Sequence, residues 1–135
     1  MDDNRKEMSE YRLKSAFEHL NASSYLLNGN FIKDSIGRSY YAMFASARAL
    51  LALEGVDFSK HAGVISYFQK EYIKTGKFDK KYSKYISHAF RIRNHSDYDD
   101  FYTVSKQDAE EQYEHAEEFC NAIKNYIDMQ MDSFQ

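Results

Sequence analysis

The sequence predicts an all-α protein, built as a single up-and-down bundle of about five helices. Proline is absent and glycine occurs only five times in 135 residues, whereas all-β proteins need many tight turns that recruit both. Apolar residues recur at intervals of three and four along most of the chain, which is the spacing of one helix face. With 43% hydrophobic residues, we expect one domain over 1–135, with its core over about 10–127.

The first two helices are predicted over residues 9–28 and 31–54. The first carries one apolar stripe, and Gly29 suits the left-handed position that often follows a helix. The second is apolar or small on nearly all of its faces, which is typical of a helix surrounded by neighbours. We therefore expect it to be the central helix, ending at Gly55.

The other three helices are predicted from capping residues and breaks. Ser59 is a suitable N-cap for a third helix, which ends at the glycine-containing break 75–77. A fourth helix starts near Phe78 and should fray within 93–97, where Asn, His, Ser and Asp side chains compete for backbone hydrogen bonds. Ser105, with an acidic residue three positions later, predicts a fifth helix over about 105–131.

Composition excludes several classes of protein. The longest apolar stretch, near 42–53, contains Arg48 and is far shorter than the ~20 residues of a membrane span. The opening residues predict no secretory signal. The lone Cys120 cannot form an internal disulfide, so we expect a cytoplasmic protein, and its place on an apolar stripe predicts a buried, structural thiol. Because the net charge is −3, nucleic-acid binding would need a local basic patch.

The densest polar cluster spans residues 91–100. Two arginines, an asparagine and a histidine can grip phosphate and move a proton, which metal-free RNA cleavage requires. The same pattern also fits a helix C-terminus whose cations suit the helix dipole, followed by a solvated acidic turn. Both interpretations stay open. The candidate catalytic residues are Arg91, Arg93, Asn94 and His95.

Other chemical motifs are weak or missing from the sequence. No histidine pair has zinc-ligand spacing, and no phosphate-cradling glycine loop occurs, so no metal and no cofactor is expected. Asp34 and Arg38 form an i, i+4 pair on the predicted central helix. Because a buried charge must be compensated, Arg38 should either belong to a polar network or face a binding site.

Several ordered motifs resemble those of the HEPN domain family. The run from 34 to 44 looks like the family's Arg-x-Tyr-Tyr-Ala-Met-Phe helix, and the similarity continues through 61–65, 74–77 and 93–101. It covers about residues 10–127. The sequence is most similar to a bacterial and archaeal branch marked by Arg-Asn-x-x-Asp-Tyr, which here begins at Arg93.

The resemblance implies a small helical bundle, which in many members is a toxin partnered by a minimal nucleotidyltransferase. In these toxins, an Arg-x(4–6)-His motif from each subunit of a homodimer forms a metal-independent RNase site. In some, a tyrosine two residues after the histidine is adenylylated by the partner. Placed on this sequence, Arg91 stands at the motif arginine, Ser96 at the histidine and Tyr98 at the modified tyrosine.

The histidine of this sequence, His95, comes one residue before the motif position. One residue rotates a helical side chain by about 100°, and a serine hydroxyl is no base near neutral pH. Either local unwinding recruits His95, or this branch lacks the RNase chemistry, which we favour. We therefore favour a toxin–antitoxin-like partner of a minimal nucleotidyltransferase that binds nucleotide or RNA. The alternatives are an active metal-independent ribonuclease and a non-catalytic helical adaptor.

Three expectations concern the site and its partners. We expect Arg38 and Arg93 to meet at one phosphate-binding cleft, with Asp34 and Asp97 as competing carboxylates. Tyr98 should lie beyond the fourth helix, either presented to the transferase or packed under the final helix. We expect a homodimer through the fourth helix and residues 91–98, because a surplus of aromatic side chains marks an interface. These aromatic residues are Tyr40, Tyr41, Tyr82, Tyr85, Phe90, Tyr98 and Tyr102.

Overall fold

The computed structural model describes residues 2–133, and within them all regular structure is helical. This confirms the predicted all-α class. The helices are α1 (Asp3–Asn28), α2 (Ile32–Ala52), α3 (His61–Phe68), α4 (Lys80–Tyr98) and α5 (Lys106–Asp132), and a π-helical turn, Gln69–Ile73, continues α3.

The second helix is central, as its composition predicts. It packs against each of the other four helices, and most of its side chains are buried. Its large apolar residues meet Phe68 of α3 and Phe119 of α5, both fully buried. Because burying a side chain of this size contributes about 1.5–3 kcal/mol, these contacts account for much of the stability of the bundle.

Buried serines fix the position of α1 on α2. The hydroxyl of Ser23 lies 2.6 Å from that of Ser39 and donates to the carbonyl of Ser35 at 2.9 Å. Ser35 returns a bond to the carbonyl of Ser23 at 2.8 Å. Small side chains allow close approach, and the paired hydroxyls remove the cost of burying them. The resulting register places His19 of α1 beside the outer face of α2.

The first helix ends at Asn28 as predicted but begins at Asp3, six residues before its predicted start. Two predicted capping residues are also wrong. The left-handed residue after α1 is Asn30, with φ 66°, whereas Gly29 has φ −86°. Gly29 instead continues the helical bonding by donating to the carbonyl of Tyr25, and asparagine tolerates the left-handed conformation. Lys60, not Ser59, precedes α3. Ser105 does cap α5, accepting a bond from the amide of Asp108 at 3.0 Å.

The predicted fraying of α4 within 93–97 is also wrong, since the helix is continuous to Tyr98. An i, i+4 ion pair joins Arg93 to Asp97 within this segment, and Ile92 packs into an apolar cluster with α2 and α5. Tertiary packing therefore overrides the weak helix propensity of Asn, His and Ser. As a result, the polar side chains of residues 91–98 point in directions fixed by the helix, and Tyr98 ends the helix instead of following it.

The cysteine is buried, as predicted. Cys120 is 0% exposed, and its thiol donates to the carbonyl of Ala42 at 3.4 Å. Burial raises the pKa of the Cys120 thiol to about 12. A thiol that stays protonated and inaccessible is a packing group and not a nucleophile.

Candidate functional site

A cleft of about 350 Å³ lies between α2 and the last turns of α4. We call it the α2–α4 cleft. Four residues that the sequence analysis names line it together, two arginines and two aspartates. The lining consists of Leu26, Lys33, Asp34, Gly37, Arg38, Tyr41, Arg93 and Asp97.

Arg93 is held in a fixed orientation at the inner end of this cleft. Its Nη2 donates to the hydroxyl of Tyr41 at 2.8 Å, and its guanidinium carbon lies 5.2 Å from the centre of the Tyr41 ring. Its Nε is 2.8 Å from a carboxylate oxygen of Asp97, but is not aligned with it as a hydrogen bond. Among the residues that the structure describes, one buried N–H of Arg93 therefore lacks an aligned acceptor, although the negative charge of Asp97 is close by.

Arg38 is exposed, contrary to the expectation of a buried charge. Positions 34 and 38 lie on the side of α2 that faces away from the core, so the arginine needs no buried compensation. Its Nη1 donates to Nδ1 of His19 at 3.1 Å, instead of pairing with Asp34. Burial, and then the charge of Arg38, lower the pKa of His19. A neutral imidazole can accept this bond, so within residues 2–133 no carboxylate pairs with Arg38.

A second cleft, of about 390 Å³, opens on the other side of Tyr41, between α1 and α2. We call it the α1–α2 cleft. Two arginines on its wall converge on one carboxylate outside it: Arg12 lies 3.2 Å and Arg48 lies 2.8 Å from Asp57. The lining consists of Met8, Tyr11, Arg12, Ser15, His19, Tyr41, Phe44, Ala45, Arg48 and His61.

His61 lines the α1–α2 cleft. Its ring stacks on that of Phe44 with centroids 4.0 Å apart, and its Nδ1 lies 2.9 Å from the hydroxyl of Tyr40. Burial, and then the charges of Arg93 and Arg48, lower the pKa of His61. The ring is therefore neutral at pH 7 and offers one donor and one acceptor.

Sequence reasoning missed the α1–α2 cleft, although a signal was present. Positions 34, 38, 41, 45 and 48 follow helical spacing and form the one stripe of α2 that is not buried. Two arginines stand on it, at Arg38 and Arg48. On α1, Arg12 and His19 share a face in the same way. The position of His61 could not be foreseen, because it depends on the path of the loop before α3.

The four candidate catalytic residues do not converge within this chain. Arg93 faces the α2–α4 cleft, whereas Arg91, two residues earlier and so about 200° around the helix, lines a separate groove. There Arg91 Nη2 lies 3.3 Å from Nδ1 of His88. His95 stacks on Tyr102 with centroids 5.4 Å apart, and the side-chain oxygen of Asn94 accepts a bond from Nη1 of Arg93 at 3.5 Å.

The groove that Arg91 lines, of about 740 Å³, lies between α3 and α4 and has a largely apolar wall. We call it the α3–α4 groove. The π-helical turn after α3 borders it, and Gln69 in that turn donates to Ser83 and Ser87 of α4 at 3.0 and 2.9 Å. The lining consists of Ala62, Ile65, Ser66, Gln69, Ser83, Lys84, Tyr85, Ser87, His88, Phe90, Arg91 and His115.

Tyr98 is 79% exposed at the end of α4. The alternative in which its ring packs under the final helix is therefore wrong. The dimer was expected because seven aromatic side chains exceed what the core can hide. Of these seven, only Tyr98 is exposed. Tyr40 is buried and the other five are half-buried. Phe101, at 94% exposure, adds a second free ring to this corner of the bundle.

Two further findings apply to residues 2–133. In this part of the chain, no three His, Cys, Asp or Glu side chains group as metal ligands. Over the same residues, no helix combines the length and the apolar character that crossing a membrane requires.

Fold and site together define a class: an α-helical bundle whose second and fourth helices bring two arginines and two carboxylates to one cleft. The family follows from comparison with known proteins. A model described as the HEPN domain matches residues 9–126, nearly the whole chain. The chain belongs to the HEPN family, which confirms the resemblance seen in its motifs.

Relatives in other organisms support the same assignment. A "UPF0332 protein" of Thermotoga maritima is 32% identical over 124 residues, covering 92% of this chain and 94% of that protein. The protein named "Putative toxin MJ0142" in Methanocaldococcus jannaschii is 35% identical over 118 residues, covering 87% of this chain and 80% of its own length. A second protein of that organism, "Putative toxin MJ0605", is 32% identical over 118 residues, or 85% of each chain.

Proposed function

We propose that this chain is a HEPN toxin-like protein that binds the phosphate of a nucleotide or RNA in the α2–α4 cleft. We further propose that it acts in the cytoplasm as a homodimer with a minimal nucleotidyltransferase partner. The observation that carries the proposal is the placement of Arg93, which Tyr41 holds in orientation while one N–H is aligned with no acceptor among residues 2–133. The toxin names of two relatives support the biological role.

The chemistry of the α2–α4 cleft suits a phosphate. Its lining contains three cations, Lys33, Arg38 and Arg93, against the carboxylates of Asp34 and Asp97. Arginine forks match phosphate as well as carboxylate. An incoming phosphate can therefore take the place of Asp97 at Arg93 and also bind Arg38, which pairs with no carboxylate in the described part of the chain. The hydroxyl of Tyr41 keeps the guanidinium of Arg93 oriented while phosphate replaces Asp97.

A titration tests binding. Adenosine monophosphate and then a short RNA are added to the protein, and the heat of binding is followed. Charge-assisted bonds contribute about 1.5–3 kcal/mol each, so Arg93→Gln should weaken binding by about tenfold or more, and Arg38→Ala should also weaken it. Lys124→Ala is the control, because this exposed lysine pairs with Asp128 on α5. Unchanged affinity in both arginine variants contradicts the proposal.

Measurement of the intact mass tests the partnership with a nucleotidyltransferase. We propose Tyr98 as the acceptor of AMP: its hydroxyl oxygen attacks the α-phosphorus of ATP, the bond to pyrophosphate breaks, and the phenol proton passes to a base of the transferase. The exposure of Tyr98 gives access, and the neighbouring Asp97, Asp99 and Asp100 can attract the metal ions that accompany ATP. The protein is co-purified from its host with its transferase and incubated with ATP and magnesium.

An added AMP mass that disappears in Tyr98→Phe is the expected result. Tyr25→Phe is the matched control, because Tyr25 is 82% exposed and lies on another helix. An adduct that persists in Tyr98→Phe, or no adduct at all, contradicts the assignment of Tyr98. A strictly monomeric mass by light scattering at micromolar concentration contradicts the homodimer.

Metal-independent RNA cleavage is the second candidate function. It is favoured by one observation, that Arg91 and His95 lie one turn apart on the exposed side of α4. Against it, the helix is not unwound, and Ser96 occupies the motif position with its hydroxyl buried. RNA cleavage in EDTA that is lost in His95→Ala would establish this function. If the protein neither binds nor cleaves RNA, the result would indicate a helical adaptor.

A further inference from the structure

We infer that the α1–α2 cleft is a second phosphate site, and that single-stranded RNA runs from the α2–α4 cleft across the ring of Tyr41 into it. The inference rests on the proposed function, because it takes the α2–α4 cleft as the first phosphate site.

The two clefts adjoin at the side chain of Tyr41. Tyr41 lines both of them, and Arg93 lies against one face of its ring. From there a path of rings leads onward: His61 is 6.0 Å from Tyr41 and stacks on Phe44. Arg48 completes the path, with its guanidinium carbon 5.9 Å from the Phe44 ring. Proteins bind single strands with cations along a groove and with rings on which bases stack. Tyr41 and His61 are half-buried and keep surface for such stacking, whereas Phe44 is buried.

The α1–α2 cleft carries excess positive charge. Arg12 and Arg48 share one carboxylate, Asp57, and no acidic side chain of residues 2–133 lines the cleft. The mutual repulsion is visible at Arg12, where burial and then the charge of Arg48 lower the pKa. His19 and His61 add neutral polar atoms to the wall. A phosphate placed here would relieve the repulsion between the arginines, and this is the physical reason for expecting an anion.

Spacing gives the length of the ligand. Arg38 and Arg48 are ten residues apart on α2, so they are separated by about 15 Å along the helix axis. Stacked nucleotides rise by about 3.4 Å each, so about four of them span this distance, or fewer if the strand is extended. A mononucleotide cannot contact both clefts, whereas a tetranucleotide can.

The test is the dependence of affinity on length. Adenosine monophosphate and 2′-O-methyl RNA of two, four and eight nucleotides are titrated into the full chain; the methyl group prevents cleavage. We expect affinity to rise at least tenfold between one and four nucleotides and then to level off. Arg48→Gln should return the tetranucleotide to about the affinity of the mononucleotide, because the α2–α4 cleft then binds the strand alone. Arg12→Gln tests the same point independently, and Lys124→Ala should change nothing.

The outcomes separate the two proposals. If affinity does not grow with length, or if Arg48→Gln and Arg12→Gln leave tetranucleotide affinity unchanged, the second site is wrong while the α2–α4 cleft stands. If Arg48→Gln weakens the mononucleotide and the tetranucleotide equally, the α1–α2 cleft is not an added site, and the inference fails. Absence of binding by any of the ligands overturns the proposed function itself.

Discussion

The ion pair between Arg93 and Asp97 should restrain anion binding, and Asp97→Asn should therefore increase it. In the folded protein this carboxylate lies 2.8 Å from Arg93, with 45% of its side chain exposed. A phosphate at Arg93 would stand about 6 Å from the charge of Asp97, where like charges near a hydrated surface repel by about 1 kcal/mol. Removing that charge should raise the affinity for adenosine monophosphate about fivefold at low salt.

The cost to stability should be small. Asp97 is the exposed end of the pair, and i, i+4 pairs on helix surfaces contribute about 0.3–0.5 kcal/mol, so the melting temperature should change by only a few degrees. Asp128→Asn is the matched control, since Asp128 forms an equivalent i, i+4 pair with Lys124 on α5. Affinity is measured by calorimetry at low salt and again at about 1 M salt, where screening should remove most of the difference. Unchanged or weaker binding in Asp97→Asn would refute the reasoning.

Three further predictions concern stability and reactivity. Phe119→Ala should lower the free energy of unfolding, measured by urea denaturation, by about 3–5 kcal/mol. Phe101→Ala, at a site 94% exposed, should change it by less than about 0.5 kcal/mol. Equal effects of the two substitutions would contradict the assignment of Phe119 to the core. Cys120, whose pKa burial raises to about 12, should react with a thiol reagent at pH 8 only after unfolding, so rapid labelling of the native protein would contradict its burial. Burial lowers the pKa of His61 in the folded protein below 6.5. Above that pH the ring is neutral in both the folded and the unfolded protein. As the pH falls, the unfolded protein binds the proton first. The contribution of His61 to the free energy of unfolding should thus decline below about pH 6.5, and an NMR titration giving a folded-state pKa above 6.5 would contradict this.

Composition and periodicity predicted the fold because they report on burial. The absence of proline and the scarcity of glycine leave few places to turn, and the small and apolar faces of residues 31–54 identify the central helix. Both depend on how much apolar surface a helix must hide. The end of α4 was missed because propensity describes an isolated segment, whereas the pairing of Arg93 and the packing of Ile92 hold this one helical.

The candidate site was accessible to sequence reasoning only in part. The motifs named Arg38 and Arg93, and the structure does place them on one cleft. The exposure of Arg38 was predicted wrongly. A helix that is apolar on most faces still keeps one stripe of side chains toward solvent, and Arg38 lies on that stripe. The role of Tyr41 as the wall between two clefts depends on how α1 and α4 pack against α2, which residue spacing along one helix does not reveal.

A structure determined with adenosine monophosphate bound tests the central claim most directly. The account predicts the phosphate in the α2–α4 cleft, within hydrogen-bonding distance of both Arg38 and Arg93, with Asp97 turned away from the guanidinium. A phosphate found only at surface lysines outside the cleft, with the Arg93–Asp97 contact still in place, would contradict it.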